Sequence, residues 1–238
     1  MPRKIRLGLI GGGGDSLIGI LHRIASFIND NYQIVGGVFS IDYDGSLEFA
    51  DEIDVQKDRV YKDFDTFIEV EMKLTEDLRI QVCSVLTTNF LHYPMARRFL
   101  EIGFHVICEK PMTMTLEEAH ELQSVHKASG KVFALTHTYT GYPMVRQMRE
   151  MIKAGALGKI HKVDARYYQG WINPVIHDAE QRASVWRLDP EKAGISCCMG
   201  DIGTHAFNLI EYTTGLKVKS LLADFNYLYE DNKMDVDG

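Results

Sequence analysis

Residues 5–16 read IRLGLIGGGGDS, and no other stretch of the chain says as much about its fold. The apolar run Ile5–Ile10 predicts a short buried strand, and the glycines that follow predict a tight turn. Apolar residues then recur at helical spacing from 17 to 28. In such a turn the backbone can approach a pyrophosphate without Cβ clashes, and the helix N-terminus offers the anion unpaired N–H groups and a positive dipole end. The segment therefore predicts a dinucleotide-binding turn made of Gly11, Gly12, Gly13, Gly14 and Ser16.

The spacing of these glycines differs from the usual GxGxxG pattern. Counted from Gly11, the third glycine position holds Ser16, and Gly19 lies further into the helix. Serine is small enough to keep the helix packed closely on the strand. A tight turn without a ligand is the alternative interpretation. The chain has no Walker A pattern with its lysine, which disfavours a nucleotide triphosphatase.

The end of the second predicted strand, Ile34–Phe39, bears on the choice of cofactor. An acidic residue here accepts hydrogen bonds from the adenosine ribose and favours NAD. Ser40 occupies that position and Asp42 follows two residues later. Ser40 leaves room for the 2′-phosphate of NADP, but no arginine follows to bind it. The sequence therefore predicts NAD or NADP, with Ser40 and Asp42 near the ribose; a simple turn residue is the alternative for Asp42.

Strand and helix patterns alternate through the first half of the chain. Further strands are predicted at Ile80–Leu86, His105–Cys108 and Val132–Leu135, with a helix at Pro94–Ile102. This alternation predicts an α/β fold with βαβ crossovers and a doubly wound parallel sheet of the Rossmann type. We place this domain at residues 1–136.

The pattern changes after residue 137. Pro143 is suited to the first turn of a new helix. Lys159–Tyr168 and Lys217–Tyr229 partly alternate apolar and polar residues, which is typical of antiparallel strands with one covered face. We therefore predict a second α/β domain at residues 137–238 with an open, mostly antiparallel sheet.

Composition argues against several classes of partner. The formal net charge of −7 disfavours binding to the phosphates of nucleic acid. No apolar run approaches the ~18–20 residues that span a bilayer, and residues 1–16 lack the apolar core of a secretory signal. We therefore expect a cytoplasmic protein with no nucleic-acid or membrane partner. The four cysteines include no CxxC, so we predict no metal site and interpret Cys197 and Cys198 as small residues of a tight loop.

Three side chains are candidates for catalysis. Lys110 follows a predicted strand at its carboxyl end, where open α/β sheets place their ligands, and a lysine there can stabilise a developing alkoxide. A solvated surface lysine is the alternative. Asp201 and His205, four residues apart, would share one helix face, and histidine is suited to proton exchange with an alcohol. An N-cap role for Asp201 and a packing role for His205 are the alternatives.

The most specific segments of the chain are Glu109-Lys110-Pro111 and residues 200–205, which read GDIGTH. Together with three others they resemble the Gfo/Idh/MocA oxidoreductase family, which includes glucose–fructose oxidoreductase and inositol dehydrogenases. The other segments are Gly11–Gly14 with Gly19 and His22-Arg23, residues 87–92 (TTNFLH), and Gly141-Tyr142-Pro143. The resemblance extends from about residue 5 to 229. It implies a Rossmann domain followed by an α/β domain whose open antiparallel sheet shapes the substrate pocket and often the oligomer interface.

The resemblance also implies a function. It implies NAD(P)-dependent redox chemistry on sugars, polyols or related molecules, with Lys110 in the catalytic site and Glu109 and Pro111 beside the cofactor. Family chains run considerably longer than this one. We therefore expect further sheet strands to be missing, the substrate domain to be incomplete, and the full-length form to be a homo-oligomer.

Residues 87–92 follow a predicted strand and are expected to border the nicotinamide side of the site. This assigns Thr87, Thr88, Asn89 and His92 to the cofactor, with a helix cap as the alternative for Asn89. Thr88 departs from the family, in which many members have proline at this position.

Aromatic and basic residues around and beyond the predicted domain junction are candidates for substrate contact, because aromatic rings stack on sugars and arginine donates to hydroxyls. They are His137, Tyr139, Trp171 and Arg187. Core packing is the interpretation for Trp186, and surface ion pairing is the alternative for Arg187. We interpret the alternating Phe225, Tyr227 and Tyr229 as sheet packing or a subunit interface.

Two functions from different classes fit these observations. The first is a dehydrogenase in which His205 takes the hydroxyl proton while Lys110 and Asp201 position the oxygen. The second is a dinucleotide-binding sensor or scaffold without turnover, or an inert fragment.

Overall fold

The computed structural model describes residues 3–228 and 232–238, and only the backbone of Ile176. The chain divides into two compact units. The first comprises Met1–Thr87, Leu91–Met112 and Leu116–Leu135, and the second comprises Thr88–Phe90, Thr113–Thr115 and Thr136–Gly238. That they are separate domains, divided at residue 136, remains a prediction.

A parallel sheet forms the centre of the first unit. Its strands are β1 (Ile5–Gly11), β2 (Tyr32–Val38), β3 (Val82–Leu86), β4 (His105–Cys108) and β5 (Phe133–Leu135). The strand order is β2-β1-β3-β4-β5, and every neighbouring pair is parallel. The predicted Rossmann-type sheet is therefore confirmed.

Helices connect these strands. They are α1 (Leu17–Ile28), α2 (Tyr43–Glu52), α3 (Phe64–Lys73), α4 (His92–Glu101) and α5 (Leu116–Ser129), with short 3-10 turns at Lys57–Arg59 and Asn89–Leu91. The side chain of Asp63 accepts a hydrogen bond from the N–H of Thr66 and so caps the start of α3. Gly130, with φ of +63°, directly follows the last residue of α5.

Alternate residues of the central strand β3 face two different cores, because successive side chains of a strand point to opposite faces. Cys83 and Val85 join a cluster rich in phenylalanine. Val82 and Leu86 join a second cluster, against which Ile18 of α1 packs. Both faces of the sheet are thus covered, which explains why its strands read as apolar runs.

The second unit is mainly helical in the residues that the structure describes. Its helices are α6 (Pro143–Lys153), α7 (Asn173–Ile176), α8 (Ala179–Ser184), α9 (Pro190–Ala193) and α10 (Thr204–Thr214), with 3-10 turns at Thr138–Gly141 and Trp186–Leu188 and a π-turn at Met199–Gly203. Pro143 stands at the first turn of α6, as predicted. Helix α6 packs against α10, where the guanidinium carbon of Arg149 lies 4.3 Å from the ring centre of Tyr212.

The predicted open antiparallel sheet is wrong for the described part of the second unit. Lys159–Tyr168 and residues 217–228 contain no strand, and one isolated antiparallel bridge joins Asn226 to Asp237. Alternation indicates which side chains would share a face, but a strand also needs a neighbour to accept its backbone hydrogen bonds. Phe225 and Tyr227 of the predicted stripe are exposed, and Tyr229 lies outside the described residues.

Candidate functional site

The glycine turn lies at the point where the strand order changes direction. From β1 the chain continues to β2 on one side of the sheet, while β3 and β4 lie on the other. Gly11, the last residue of β1, pairs with Leu86, the last residue of β3. Open α/β sheets bind ligands at such a switch point, outside the carboxyl ends of the strands.

The backbone of the turn requires glycine. Gly11, Gly12 and Gly14 have φ of +80°, +77° and +53°, in the left-handed region that side chains disfavour. Gly13 has an ordinary φ, but a Cβ on it would lie 2.8 Å from the carbonyl oxygen of Phe39. The Gly13 N–H donates to that same oxygen at 3.0 Å. The four glycines contribute no side chains to this turn and α1 begins after Ser16, so the residues present fit a dinucleotide's diphosphate.

Gly19, rather than residue 16, allows the close packing of helix on turn. A Cβ on Gly19 would lie 1.8 Å from the carbonyl oxygen of Gly12, which no relaxation could accommodate. Ser16 is instead the N-cap of α1, and its Oγ accepts a hydrogen bond from the Gly19 N–H at 3.2 Å. The expectation that serine takes the third glycine's packing role is therefore corrected.

Arg23 is a residue of this turn that sequence reasoning did not assign. Its guanidinium donates to the carbonyl oxygen of Gly12 at 2.8 Å, and its Cζ lies 4.7 Å from the centre of the Phe49 ring. The hydrogen bond to Gly12 holds the backbone of the turn, and the guanidinium adds positive charge close to where an anion would bind. Its position six residues after the N-terminal end of α1 was the signal available in the sequence.

At the end of β2, Ser40 and Asp42 form a local turn. The Asp42 N–H donates to Ser40 Oγ at 3.1 Å, and Asp42 is the N-cap residue of α2 without making a side-chain cap hydrogen bond. Both interpretations of Asp42, ribose acceptor and turn residue, agree with this geometry.

Glu109 is buried directly after β4 and is held on both sides. Its Oε1 lies 2.9 Å from Nε2 of His22, and its Oε2 accepts from the N–H of Lys110 at 3.2 Å. The other ring nitrogen of His22 lies 3.0 Å from Oγ of Ser84, in the middle of β3. The Lys110–Pro111 peptide bond is cis.

His92 is 1% exposed, and its assignment to the cofactor stays a prediction. Its Nδ1 lies 2.7 Å from the carbonyl oxygen of Pro111 and its Nε2 lies 3.1 Å from that of Thr87. Burial lowers the pKa of His92 below its usual value, although both carbonyls oppose the shift. A neutral imidazole has one N–H, which donates to one of the two carbonyls at a time. We propose that His92 positions residues 87 and 111.

Thr88 and Asn89 belong to the second unit. Asn89 is buried, and its Nδ2 donates to the carbonyl oxygen of Ala193 at 2.9 Å. The N-cap of α4 is Leu91, so Asn89 does not cap that helix. Through this hydrogen bond Asn89 links residues 88–90 to helix α9, which belongs to the same unit.

Within the second unit, two predicted site residues, Tyr139 and His137, lie beside His205. The ring of Tyr139 is 4.6 Å from that of His205 between centres, and the ring of His137 is 5.8 Å away. The Tyr139 hydroxyl lies 2.6 Å from that of Tyr167. Burial, followed by that hydrogen bond, raises the pKa of Tyr139 above its usual range, and the negative charge of Asp201 adds to the shift.

Asp201 and His205 do not lie on one regular α-helix. Asp201 is in the π-turn, which adds a residue to the helical turn, and His205 is in the first turn of α10. Oδ1 of Asp201 lies 3.8 Å from Nε of Arg187, whose guanidinium also stacks 4.4 Å from the Trp186 ring. Trp171 and Trp186 pack against a small core of Ala193, Cys197 and Met234.

Asp235 holds the loop that leads into the π-turn, and sequence reasoning missed it. It is 2% exposed. Its Oδ1 accepts from the N–H of Cys197 at 3.0 Å, and its Oδ2 accepts from Oγ of Ser196 at 3.0 Å and from the N–H of Met199 at 3.1 Å. Its position in an acidic tail gave no signal that it would be buried.

Lys110 belongs to the first unit, and Asp201 and His205 belong to the second. Their meeting around one substrate remains a proposal. Across residues 3–228 and 232–238, no three His, Cys, Asp or Glu side chains are grouped so as to hold a metal ion, and no helix has the length and apolarity to cross a membrane.

Known proteins resemble this chain over nearly its whole length. Residues 5–137 match the model of an oxidoreductase family with an NAD-binding Rossmann fold, and residues 145–238 match the GFO/IDH/MocA C-terminal domain. The chain is 34% identical over 227 residues to an uncharacterized oxidoreductase, YfiI, of Bacillus subtilis, covering 94% of this chain and 57% of that protein. It is 32% identical over 143 residues to levoglucosan dehydrogenase of Pseudarthrobacter phenanthrenivorans, covering 60% of this chain and 35% of that protein.

A solved structure shows the same fold. The crystal structure of an inositol dehydrogenase homolog of Azotobacter vinelandii, complexed with NADH and myo-inositol, matches with a TM-score of 0.81 and 36% identity. The match covers 90% of this chain and 54% of that one. The chain thus spans little more than half the length of YfiI and of this structure.

Proposed function

Because the chain belongs to the Gfo/Idh/MocA oxidoreductase family, we propose that it binds NAD or NADP and serves hydride transfer between this cofactor and a secondary alcohol or ketone. The proposed substrates are sugars, polyols or related small molecules. This class is supported by the similarity to levoglucosan dehydrogenase and to an inositol dehydrogenase homolog complexed with myo-inositol.

One observation carries the proposal: a turn without side chains at the switch point of a parallel sheet, followed by a capped helix. Gly11–Gly14 and Ser16 would hold the diphosphate against the N-terminus of α1. Ser40 and Asp42 would lie toward the adenosine ribose. Thr87, Thr88 and the Glu109-Lys110-Pro111 turn would lie toward the nicotinamide, with Asn89 and His92 holding that region in place.

The cofactor's nicotinamide ring, when bound, supplies or accepts the hydride. Lys110 donates a hydrogen bond to the reacting oxygen and stabilises the negative charge that develops on it. His205 takes the hydroxyl proton on a ring nitrogen and returns it in the reverse direction. Asp201 orients the substrate hydroxyl. His137, Tyr139, Trp171 and Arg187 form the substrate side of the site.

The test is a Lys110→Ala variant, assayed for NADH binding by fluorescence and for turnover against a panel that starts with myo-inositol and levoglucosan. Loss of a donor to a developing oxyanion typically lowers kcat by about 10²–10³-fold, so we expect a loss of that size. Lys73→Ala, an exposed lysine on α3, is the matched control and should keep the wild-type rate. An unchanged rate in Lys110→Ala would remove Lys110 from the mechanism.

The second candidate function is a dinucleotide-binding sensor or scaffold without turnover. It is favoured by residues 159–168 and 217–228, which form no strand within the described residues apart from the isolated bridge between Asn226 and Asp237. Binding of NADH by the wild-type chain without turnover across the panel would select this alternative. If the wild-type chain bound neither NADH nor NADPH, an inert fragment would be indicated instead. The homo-oligomer expected of the full-length form stays a prediction that sedimentation would check.

A further inference from the structure

A chain of three polar side chains crosses the sheet face that α1 covers. Ser84 in β3, His22 in α1 and Glu109 after β4 are joined by contacts of 3.0 Å and 2.9 Å. Ser84 is fully buried, and the side chains of His22 and Glu109 are 13% and 10% exposed. The mechanism proposed above places the Glu109-Lys110-Pro111 turn toward the nicotinamide, but it gives no role to Ser84 or His22 and none to the contacts that join them to Glu109.

The donors and acceptors of Ser84, His22 and Glu109 fit one arrangement in which the imidazole is uncharged. An ionised Glu109 only accepts, so Nε2 of His22 carries the proton and donates to it. Nδ1 of the ring is then an acceptor, and the Ser84 hydroxyl donates to it. In this arrangement each of the three side chains has a hydrogen-bond partner, which matters because an unpaired buried carboxylate is costly.

These three side chains connect two parts of the first unit that the proposed function needs: helix α1 at the glycine turn and the backbone at Lys110. His22 lies three residues after Gly19, on the same helix whose first turn closes the glycine turn. At the other end, Glu109 accepts from the Lys110 N–H, while its own N–H donates to the carbonyl oxygen of Val85 at 3.1 Å. A single imidazole therefore joins the helix at the glycine turn to the backbone that carries Lys110.

We propose that His22 is a positioning residue, held by Ser84, that sets the Glu109–Lys110 backbone against α1 and so couples dinucleotide binding to the placement of Lys110. The proposal rests on the function proposed above. If Nε2 of His22 is lost, Glu109 must turn toward water or another donor, and its hydrogen bond to the Lys110 N–H is released. The turn beside the cofactor then loses its fixed geometry.

Two substitutions of His22 separate this role from simple packing. The amide nitrogen of glutamine reaches the place of Nε2, so His22→Gln keeps a donor to Glu109. The amide of asparagine reaches only the place of Nδ1, so His22→Asn keeps a partner for Ser84 and leaves Glu109 without its donor. Both replace the ring by an amide, and therefore disturb packing in a similar way.

The experiment is NADH titration by fluorescence on the whole chain, together with NMR of the Lys110 amide and of ¹⁵N-labelled histidine. We expect His22→Asn to raise the Kd for NADH about tenfold, which corresponds to about 1.4 kcal/mol. His22→Gln should stay within about twofold of wild type, because the hydrogen bond to the charged group survives. In the wild type, the ¹⁵N shifts should show the proton of His22 on Nε2.

Several results would overturn the proposal. Equal NADH affinities and an unshifted Lys110 amide in His22→Asn would do so, as would a protonated Nδ1 in the neutral ring. Should His22→Asn fail to fold, Ser84→Ala, which removes only the donor to Nδ1, should shift the Lys110 amide in the same direction by less. If the wild type binds neither NADH nor NADPH, the proposed function fails and the coupling fails with it. The Lys110 amide then still decides whether His22 positions that turn.

Discussion

The two units differ in how their backbone N–H and C=O groups are hydrogen-bonded. In the first unit, all five strands have a parallel neighbour, and helices cover both faces of the sheet. In the second unit, residues 159–168 and 217–228 form no strand among the described residues apart from the isolated bridge between Asn226 and Asp237, and they expose large apolar side chains such as Tyr168 and Leu222. The first unit is thus closed by contacts within the chain. The described part of the second is held by helices, by a small apolar core around Cys197 and Met234, and by buried polar side chains such as Asp235.

Each unit contains a buried carboxylate that accepts several hydrogen bonds and lies outside the proposed site, and these two residues make the comparison testable. Glu71 in α3 is completely buried in the first unit, and Asp235 is almost as buried in the second. Both tryptophans, Trp171 and Trp186, lie in the second unit. Tryptophan fluorescence therefore follows the second unit alone, whereas far-UV circular dichroism follows both.

The largest effect is expected from Glu71→Ala. Oε1 of Glu71 accepts from Nη2 of Arg59 and from the Tyr61 hydroxyl, both at 2.6 Å, and Oε2 accepts from the N–H of Ile80 at 2.9 Å. Burial pulls the pKa of Arg59 down, but the Glu71 carboxylate raises it overall. Breaking such a buried pair typically costs about 3–5 kcal/mol, so the free energy of unfolding of the first unit should fall by that amount.

Urea unfolding followed by both signals checks this prediction. The circular dichroism transition should move to lower urea while the fluorescence transition stays in place. Glu69→Ala, on the exposed face of the same helix, is the matched control and should leave both transitions unchanged. If fluorescence moves as far as circular dichroism in Glu71→Ala, the units unfold together and the contrast drawn between them is wrong.

The first unit also shows why sequence reasoning worked there. The strands β1, β3 and β4 are apolar runs whose partners are dictated by alternation with helices, so the pattern contains the topology. Nothing comparable exists for residues 159–168. Their residues alternate, but no segment of the described chain pairs with them as a strand, and a local pattern cannot reveal whether a pairing partner is present.

A smaller effect is expected from Asp235→Asn in the second unit. The carboxylate accepts three hydrogen bonds from Ser196, Cys197 and Met199, and an amide places an NH₂ group against at least one of these donors. The loss should be about 1–3 kcal/mol, the cost of a buried polar group left unsatisfied. Here the fluorescence transition should move. Asp224→Asn, the same change at an exposed position, should move neither, and an unmoved fluorescence transition in Asp235→Asn would remove its anchoring role.

The site was predictable to a similar, limited extent. Gly11–Gly14 and Lys110 lie at or just after the carboxyl ends of strands, where open sheets bind ligands, so the sequence pattern could propose them as site residues. Asp235 and the link from His22 to Glu109 bring together residues 36 to 87 positions apart. Histidine is a residue type suited to a site, and only the structure shows that both ring nitrogens of His92 lie against backbone carbonyl oxygens. Long-range polar contacts of this kind leave no periodicity in the sequence.

The smallest effect concerns the four free thiols, and it separates the units by reactivity. Cys83 and Cys108 are fully buried in the first unit, and burial raises the pKa of each thiol well above its usual value. Cys198 is partly exposed in the second unit. We expect a thiol reagent at pH 8 to modify Cys198 first, and to reach Cys83 and Cys108 only when the first unit unfolds. Mass spectrometry after timed quenching would identify the modified residues.

The buried thiol of Cys197 predicts a pH dependence in the stability of the second unit. Desolvation, followed by the charges of Asp201 and Asp235, raises the pKa of its thiol from 9.0 to about 12. The folded state therefore keeps a proton that the unfolded chain releases, so the contribution to stability is complete below pH 9 and is lost as pH rises toward 12. The fluorescence transition should move to lower urea above pH 9, and Cys197→Ala should reduce that pH dependence. Rapid labelling of Cys197 at pH 8, at the rate of Cys198, would contradict the burial on which this argument depends.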